Sequence, residues 1–369
     1  MNLYTDKRIV LTLDAGGTNF VFNAFMGGKA MLEGIRKDPN AEDLGRCLDT
    51  LKQGFQEVIQ ALDAEPVAIS FAFPGPADYR RGIIGDLGNL PGFRGGVPLK
   101  DILEDEFNLP VFINNDGDLY AYGEALGGIL PEINADLEAS GSPKRYRNLI
   151  GLTLGTGFGG GFVSDGRLIT GDNSIASEVW LFSNMYYPGV NAEDAVSTRS
   201  VQRVYAKEAG ISFPNELMPR DIYQIATGEK AGDRDAALKA YEETGKALGD
   251  TVANLLTLSD GIVIIGGGIT GARELYMPAM MNVLRSDYSP SEGGTLPRLV
   301  QRIYNLDEDK DRQAFCKDYS TTIAVPGTER KVSYDPQPRL AVATSKIGAS
   351  EAIALGAYAI ALEQLPEGD

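Results

Sequence analysis

The 369-residue sequence predicts an α/β protein in two halves, and three observations carry that expectation. Three glycine-rich turns, DAGGTN at residues 14–19, LGTGFGGG at 154–161 and IGGGITG at 265–271, each follow a run of β-type apolar residues. Stretches of helical period alternate with those runs. The length exceeds the roughly 100–200 residues of a single domain, so two domains sharing a cleft follow.

In chain order, residues 8–14 (RIVLTLD) and 20–25 (FVFNAF) both read as strands, and the first glycine turn joins them as a hairpin. A P-loop or dinucleotide-binding turn leads into a helix instead. Residues 43–62 carry Leu44, Cys47, Leu48, Leu51, Phe55, Val58, Ile59 and Leu62 at helical spacing. Residues 67–73 return to strand, and Pro74-Gly75-Pro76 stops it. Further strands are predicted over 111–114, 149–154, 262–265 and 340–344, and long helices over 235–258 and 349–362. Residues 131–147 and 285–338 mix charge with glycine and proline and read as insertions. No internal repeat is visible. The expected division is 1–118 plus 349–369 for one α/β domain and 119–348 for a larger one.

Composition excludes several functions. With 34 Lys plus Arg against 51 Asp plus Glu, the net charge of −17 repels nucleic-acid phosphates. An anionic nucleotide can bind only where backbone N–H groups or Mg²⁺ reverse the local field. The chain has no histidine, which removes imidazole acid–base chemistry, Ser-His-Asp and Cys-His nucleophile systems and imidazole metal sites. Its two cysteines, Cys47 and Cys316, match no zinc or disulfide spacing. The first residues lack an apolar secretory core, and the longest uncharged helical run, 352–362, is shorter than the ~18 residues of a membrane span. A cytoplasmic protein without membrane partners is the expectation.

The segment VFINNDGDLYAYGE, residues 111–124, places Asn114, Asn115 and Asp116 at the carboxyl end of a strand, just before a helix. α/β proteins put chemistry at such strand tips. Alone the segment is ambiguous, because an aspartate before a helix also serves as an N-cap. Beside three turns able to approach phosphates, it points to a phosphotransferase. The rival is an oxidoreductase, since Gly155-x-Gly157-x-x-Gly160 and Gly266-x-Gly268-x-x-Gly271 match G-x-G-x-x-G. After Gly161, however, FVSDGRL is a second strand closed by an Asp-Gly turn, and no strand-end acid follows Gly271.

The ordered set DAGGTN, FPGPAD, GNLPGF, NNDGDLYAYGE, LGTGFGGGFVSDGRL, SEVW and IGGGI closely resembles the ROK family of sugar kinases, from about residue 9 to 362. The resemblance implies two actin/hexokinase-like (ribonuclease H-like) domains flanking a nucleotide and sugar cleft, with ATP and Mg²⁺ as cofactors. By that resemblance Asp14 orients Mg²⁺ and its waters. Gly16, Gly17 and Thr18 form the first phosphate turn, Thr156, Gly157 and Gly159 the second, and Gly267 and Gly268 hold the adenosine. Asp116 matches the catalytic base. Asn89, Asn115, Glu178 and Glu193 match positions that contact the sugar.

One departure stands out. The family usually has G-E-x-G-H after the second phosphate turn, with the histidine touching both the sugar and a zinc held by downstream cysteines. Here the segment is Ser177-Glu178-Val179-Trp180-Leu181, with Leu181 in the histidine's place, so no zinc site is expected. Trp180, the only tryptophan, is expected to fill the space of the zinc site or to pack under the sugar. Family repressors carry an N-terminal helix-turn-helix, for which a first strand at Arg8 leaves no room. The expected function is phosphorylation of the primary hydroxyl of a hexose such as glucose, with an N-acetylhexosamine as the alternative substrate and a catalytically silent sugar sensor as the alternative class. The family commonly forms homodimers.

Overall fold

The computed structural model describes residues 3–16 and 19–366. Its contacts divide the chain into one unit of residues 1–128, 167–177 and 347–369 and a second of residues 129–166 and 178–346.

In the first unit, β1 (Val10–Ala15) and β2 (Phe20–Met26) form the expected antiparallel hairpin. β1 also pairs in parallel with β3 (Ala68–Ala72), and β3 in parallel with β4 (Val111–Asn114). The register aligns Asp14 with Ala72 and Ala72 with Asn114, so three parallel strands end side by side. Helix α1 (Leu44–Gln60) is capped by Asp43, whose side chain accepts from the Arg46 N–H at 3.0 Å. Its apolar face, Cys47, Leu51, Phe55 and Val58, is buried. Phe55 meets Phe22 of β2 edge to face at 5.1 Å between centroids. A Cβ on Gly54 would lie 2.3 Å from the Phe22 ring, so a glycine is required there.

Helix α2 (Leu99–Phe107) leads into β4, and α3 (Asp116–Leu126) leaves it. The C-terminal helix (Ala349–Gln364) crosses α3 almost backbone to backbone. A Cβ on Gly123 would fall 1.9 Å from the Ala352 carbonyl oxygen, and one on Gly356 2.0 Å from that of Leu119. Ser70 Oγ of β3 donates to the Ala357 carbonyl at 2.6 Å and ties the same helix to the sheet. This packing sets the division of the chain: α3 stays with the first unit to Gly128 instead of starting the second at residue 119.

The second unit repeats the pattern. β5 (Leu149–Leu154) and β6 (Phe158–Ser164) form an antiparallel hairpin, and β7 (Ile262–Gly266) runs parallel to β5. β9 (Arg339–Thr344) runs parallel to β7, with β8 (Arg302–Asn305) parallel to β9 at the sheet edge. A hairpin followed by parallel strands thus occurs in both units, although no repeat is visible in the sequence. The 26-residue helix α8 (Arg234–Ser259) packs on α9 (Arg273–Leu284) through Gly245 and Gly249. Between the hairpin and α8 lie α5 (Ala192–Val196), α6 (Thr198–Glu208) and α7 (Pro219–Thr227).

Both stretches expected as insertions are corrected in part. Residues 131–147 include most of α4 (Ile129–Ala139), whose Ile133 and Leu137 are buried. Arg312 of α10 (Asp309–Cys316) binds α4 through Asp136, Nε to Oδ2 at 2.8 Å. Residues 285–338 supply β8, and Ile303, Leu306 and Phe315 are buried. Only the hairpins 287–297 and 321–334 expose most of their residues. Charged residues hid the apolar face in both stretches. Among the described residues no helix is long and apolar enough to cross a membrane.

Candidate active site

In the first unit the candidate residues gather at the carboxyl ends of β1 and β4. Asn115 caps α3, its Oδ1 accepting from the Gly117 N–H at 2.8 Å. Capping is therefore done by Asn115, and Asp116 is the first residue of the helix. Its Oδ1 accepts from the same Gly117 N–H at 2.9 Å. Asp14 lies in register with Asn114 across β3, about 10 Å away at two strand spacings. Asp116 is exposed to solvent at the start of the helix, yet the protein around its carboxyl raises the pKa, chiefly by desolvation and further by the negative charge of Asp14. Asp14 is exposed and has no cationic partner among the described residues.

Asn89 stands exposed on the GNLPGF turn, which is anchored from below by buried Leu87, Leu90 and Phe93. Arg94 Nη1 donates to the Leu87 and Phe93 carbonyls at 2.6 and 2.7 Å and holds the turn's shape. Gly16 leads into the first glycine turn, where a Cβ would lie 3.0 Å from the Asn19 carbonyl. Gly17 and Thr18 lie outside the described residues.

In the second unit the other two glycine turns lie side by side. Gly267, at φ 92°, packs on the end of β5: a Cβ there would sit 2.3 Å from the Leu154 carbonyl oxygen. A side chain at Gly159 would meet Thr153 Oγ1 at 2.6 Å, and one at Gly157 would meet Glu193 Oε2 at 2.9 Å. Around Gly155, Gly268 and Gly271, by contrast, the space for a Cβ is open, and Thr156 is exposed between Gly155 and Gly157. Uncovered backbone at two adjacent turns fits phosphate oxygens. Beside the third turn opens a cavity of about 890 Å³ that includes Tyr223, Gly271, Arg273, Met277, Asn305 and Asp307. Of these only Gly271 belongs to a glycine-rich sequence motif. They come from α7, the third turn, α9 and the end of β8, elements distant in sequence, and no local motif marks them.

The two acids expected at the sugar have structural partners. Glu193, in α5, accepts from the Phe158 N–H at 3.0 Å and so braces the second glycine turn. Glu178 accepts from the indole N–H of Trp180. Trp180 is half-buried against the core of this unit, and Leu181, where the family histidine would stand, is 58% exposed.

A hairpin followed by parallel strands in each unit, with glycine turns at the strand ends, is the architecture of the actin/hexokinase fold. The chain belongs to the ROK family, whose model matches residues 10–293. It is similar over 99% of its length, and all of the other chain, to the solved structure of a glucokinase from Parabacteroides distasonis, at 49% identity and a TM-score of 0.91. It is also 26% identical to the Thermotoga maritima glucokinase over 78% of this chain and 91% of that one. The N-acetyl-D-glucosamine kinase of Photobacterium profundum is 26% identical over 78% and 92%. The protein is an ATP-dependent sugar kinase.

Proposed function

We propose that the protein phosphorylates the primary hydroxyl of glucose or a closely similar hexose, with Asp116 as general base. The observation that carries this reading is the place of Asp116, the first residue of α3 and two residues past Asn114, which β3 aligns with Asp14, together with the raised pKa of its carboxyl. Asp116 would take the proton of the attacking hydroxyl, and Asn89, Asn115, Glu178 and Glu193 would bind the remaining hydroxyls. Amides suit that task because each offers donor and acceptor together. The similarity to the Parabacteroides glucokinase supports glucose as the first sugar to test.

ATP supplies the phosphoryl group, and Mg²⁺ the charge neutralisation, when bound. Asp14, an exposed carboxylate, is the hard oxygen ligand that Mg²⁺ and its waters prefer. Gly157, Gly159 and Thr156 would hold phosphates with backbone N–H groups, and Gly267 and Gly268 the nucleoside. The 890 Å³ cavity beside them falls within the roughly 300–1,000 Å³ of small-ligand sites.

An ADP-release assay with Mg-ATP over glucose, fructose, mannose, N-acetylglucosamine and N-acetylmannosamine is expected to give the highest kcat/KM on glucose. A preference for an N-acetylated sugar would transfer the same mechanism to that substrate and overturn the hexose assignment. The pH profile is a second check. A base acts only when deprotonated, so with its pKa raised Asp116 loses activity at a higher pH than an ordinary carboxylate would. The acid limb of kcat/KM is expected clearly above the ~3.9 of a free aspartate. A limb at or below that value would remove Asp116 from the role.

A further inference from the structure

The segment between Glu178 and Glu193 is closed on itself, by the Ala192 N–H donating to the Phe182 carbonyl at 2.8 Å and by a bridge between Ser183 and Asn191. It is also fastened to α8 at three points on one helix face. Tyr187 Oη donates to Glu243 Oε2 at 3.0 Å. Asn184, 3% exposed, donates from Nδ2 to the Ala247 carbonyl at 2.8 Å. The Met185 N–H donates to Oδ2 of Asp250, itself 3% exposed, at 3.0 Å. Positions 243, 247 and 250 form a single stripe at helical spacing.

The stripe continues into the stretch whose role the sequence left open. Arg298, at the end of the 287–297 hairpin, donates from Nη2 to Asn254 Oδ1 at 2.8 Å and pairs with Asp250 Oδ1 at 3.4 Å. Both charged side chains are almost fully buried, so each is the other's compensation. The Tyr288 ring lies 5.1 Å from the guanidinium carbon.

We propose that Asn184, Tyr187, Asp250 and Arg298 form a metal-free clasp that sets the positions of Glu178 and Glu193 and hence sugar affinity. They are positioning residues, since none is assigned a contact with substrate. The clasp takes the place of the zinc-held segment that the family resemblance implies, in a chain with no histidine and with cysteines only at 47 and 316. It rests on the reading that Glu178 and Glu193 contact the sugar.

The test uses Trp180, the only tryptophan and a hydrogen-bond partner of Glu178, as a fluorescent reporter of sugar binding without nucleotide. Asn184→Ala and Arg298→Met are expected to raise the sugar Kd and KM about tenfold or more, the scale of a lost buried hydrogen bond, while the ATP KM stays within about twofold. Adding Asp250→Asn to Arg298→Met removes the uncompensated charge and should recover part of the loss. Leu256→Ala on the same helix serves as a control, with a lowered melting temperature and an unchanged sugar Kd. Tyr187→Phe, the mildest change, keeps the test decisive if Arg298→Met fails to fold. Wild-type binding should resist 1,10-phenanthroline. Folded clasp variants that bind sugar as tightly as wild type, or sugar binding lost to the chelator, would overturn the clasp and leave the kinase reading standing. No sugar binding by the wild type would overturn both.

Discussion

Asp116→Asn will lower kcat by roughly 10²–10⁴-fold while leaving the sugar dissociation constant close to that of the wild type. Asparagine retains the acceptor oxygen that meets the Gly117 N–H and adds no volume, so α3 and its Asn115 cap remain in place. What disappears is the site for the proton of the attacking hydroxyl. The same substitution should raise the melting temperature at neutral pH. In the folded protein desolvation and Asp14 raise the carboxyl's pKa, so ionisation is costlier there than in the unfolded chain. That cost builds up as pH rises from the unfolded value of ~3.9 to the raised folded pKa and is absent below the unfolded value, so the gain in stability should be larger at pH 7 than at pH 4 and vanish below pH 4. Kinetics and thermal melts across pH measure both. Full activity in the variant would remove Asp116 as base, and a lowered melting temperature at pH 7 would contradict the electrostatic argument.

Gly356→Ala should be nearly as damaging although it lies on a different helix from the carboxylate. A methyl group there would need to occupy space 2.0 Å from the Leu119 carbonyl oxygen, and because that atom is backbone it has no rotamer with which to retreat. Either the C-terminal helix lifts from α3 or α3 moves. Leu119 is three residues from Asp116 on the same helix, so movement of α3 displaces the carboxylate. Overpacking of this kind costs about 1–3 kcal/mol of stability, and a misplacement near 1 Å can cost about 10²-fold in rate. The expected result is a depressed melting temperature together with a kcat lowered by about that factor in the folded fraction. A destabilised variant with wild-type kcat would show that the C-terminal helix yields and α3 does not.

Gly123 and Gly356 lie inside helices, where no turn motif marks them. A signal was present: glycine inside a helical pattern costs about 1 kcal/mol relative to alanine, and a close helix crossing is a usual reason for tolerating it. The two supposed insertions failed differently. In α4 the apolar positions Leu130, Ile133 and Leu137 lie among charges, and Arg312, which binds Asp136 of the same helix, is 176 residues away in sequence.

The sequence alone determined what depends on near neighbours. Strand and helix periods, the hairpin at DAGGTN, the Asp-Gly turn after β6 and the strand–Asn-Asn-Asp–helix junction are set by residues a few positions apart, and all are present in the structure apart from Gly17 and Thr18, which lie outside the described residues. Only the tertiary structure decided what depends on register and packing. Alignment of Asp14 with Asn114 comes from pairing with β3, the seating of Gly267 on Leu154 from β5 beside β7, and the Glu193 brace and the clasp on α8 from contacts 35 and 48 to 65 residues apart. Such contacts are fixed by the free energy of burying whole elements against each other, which no local spacing encodes.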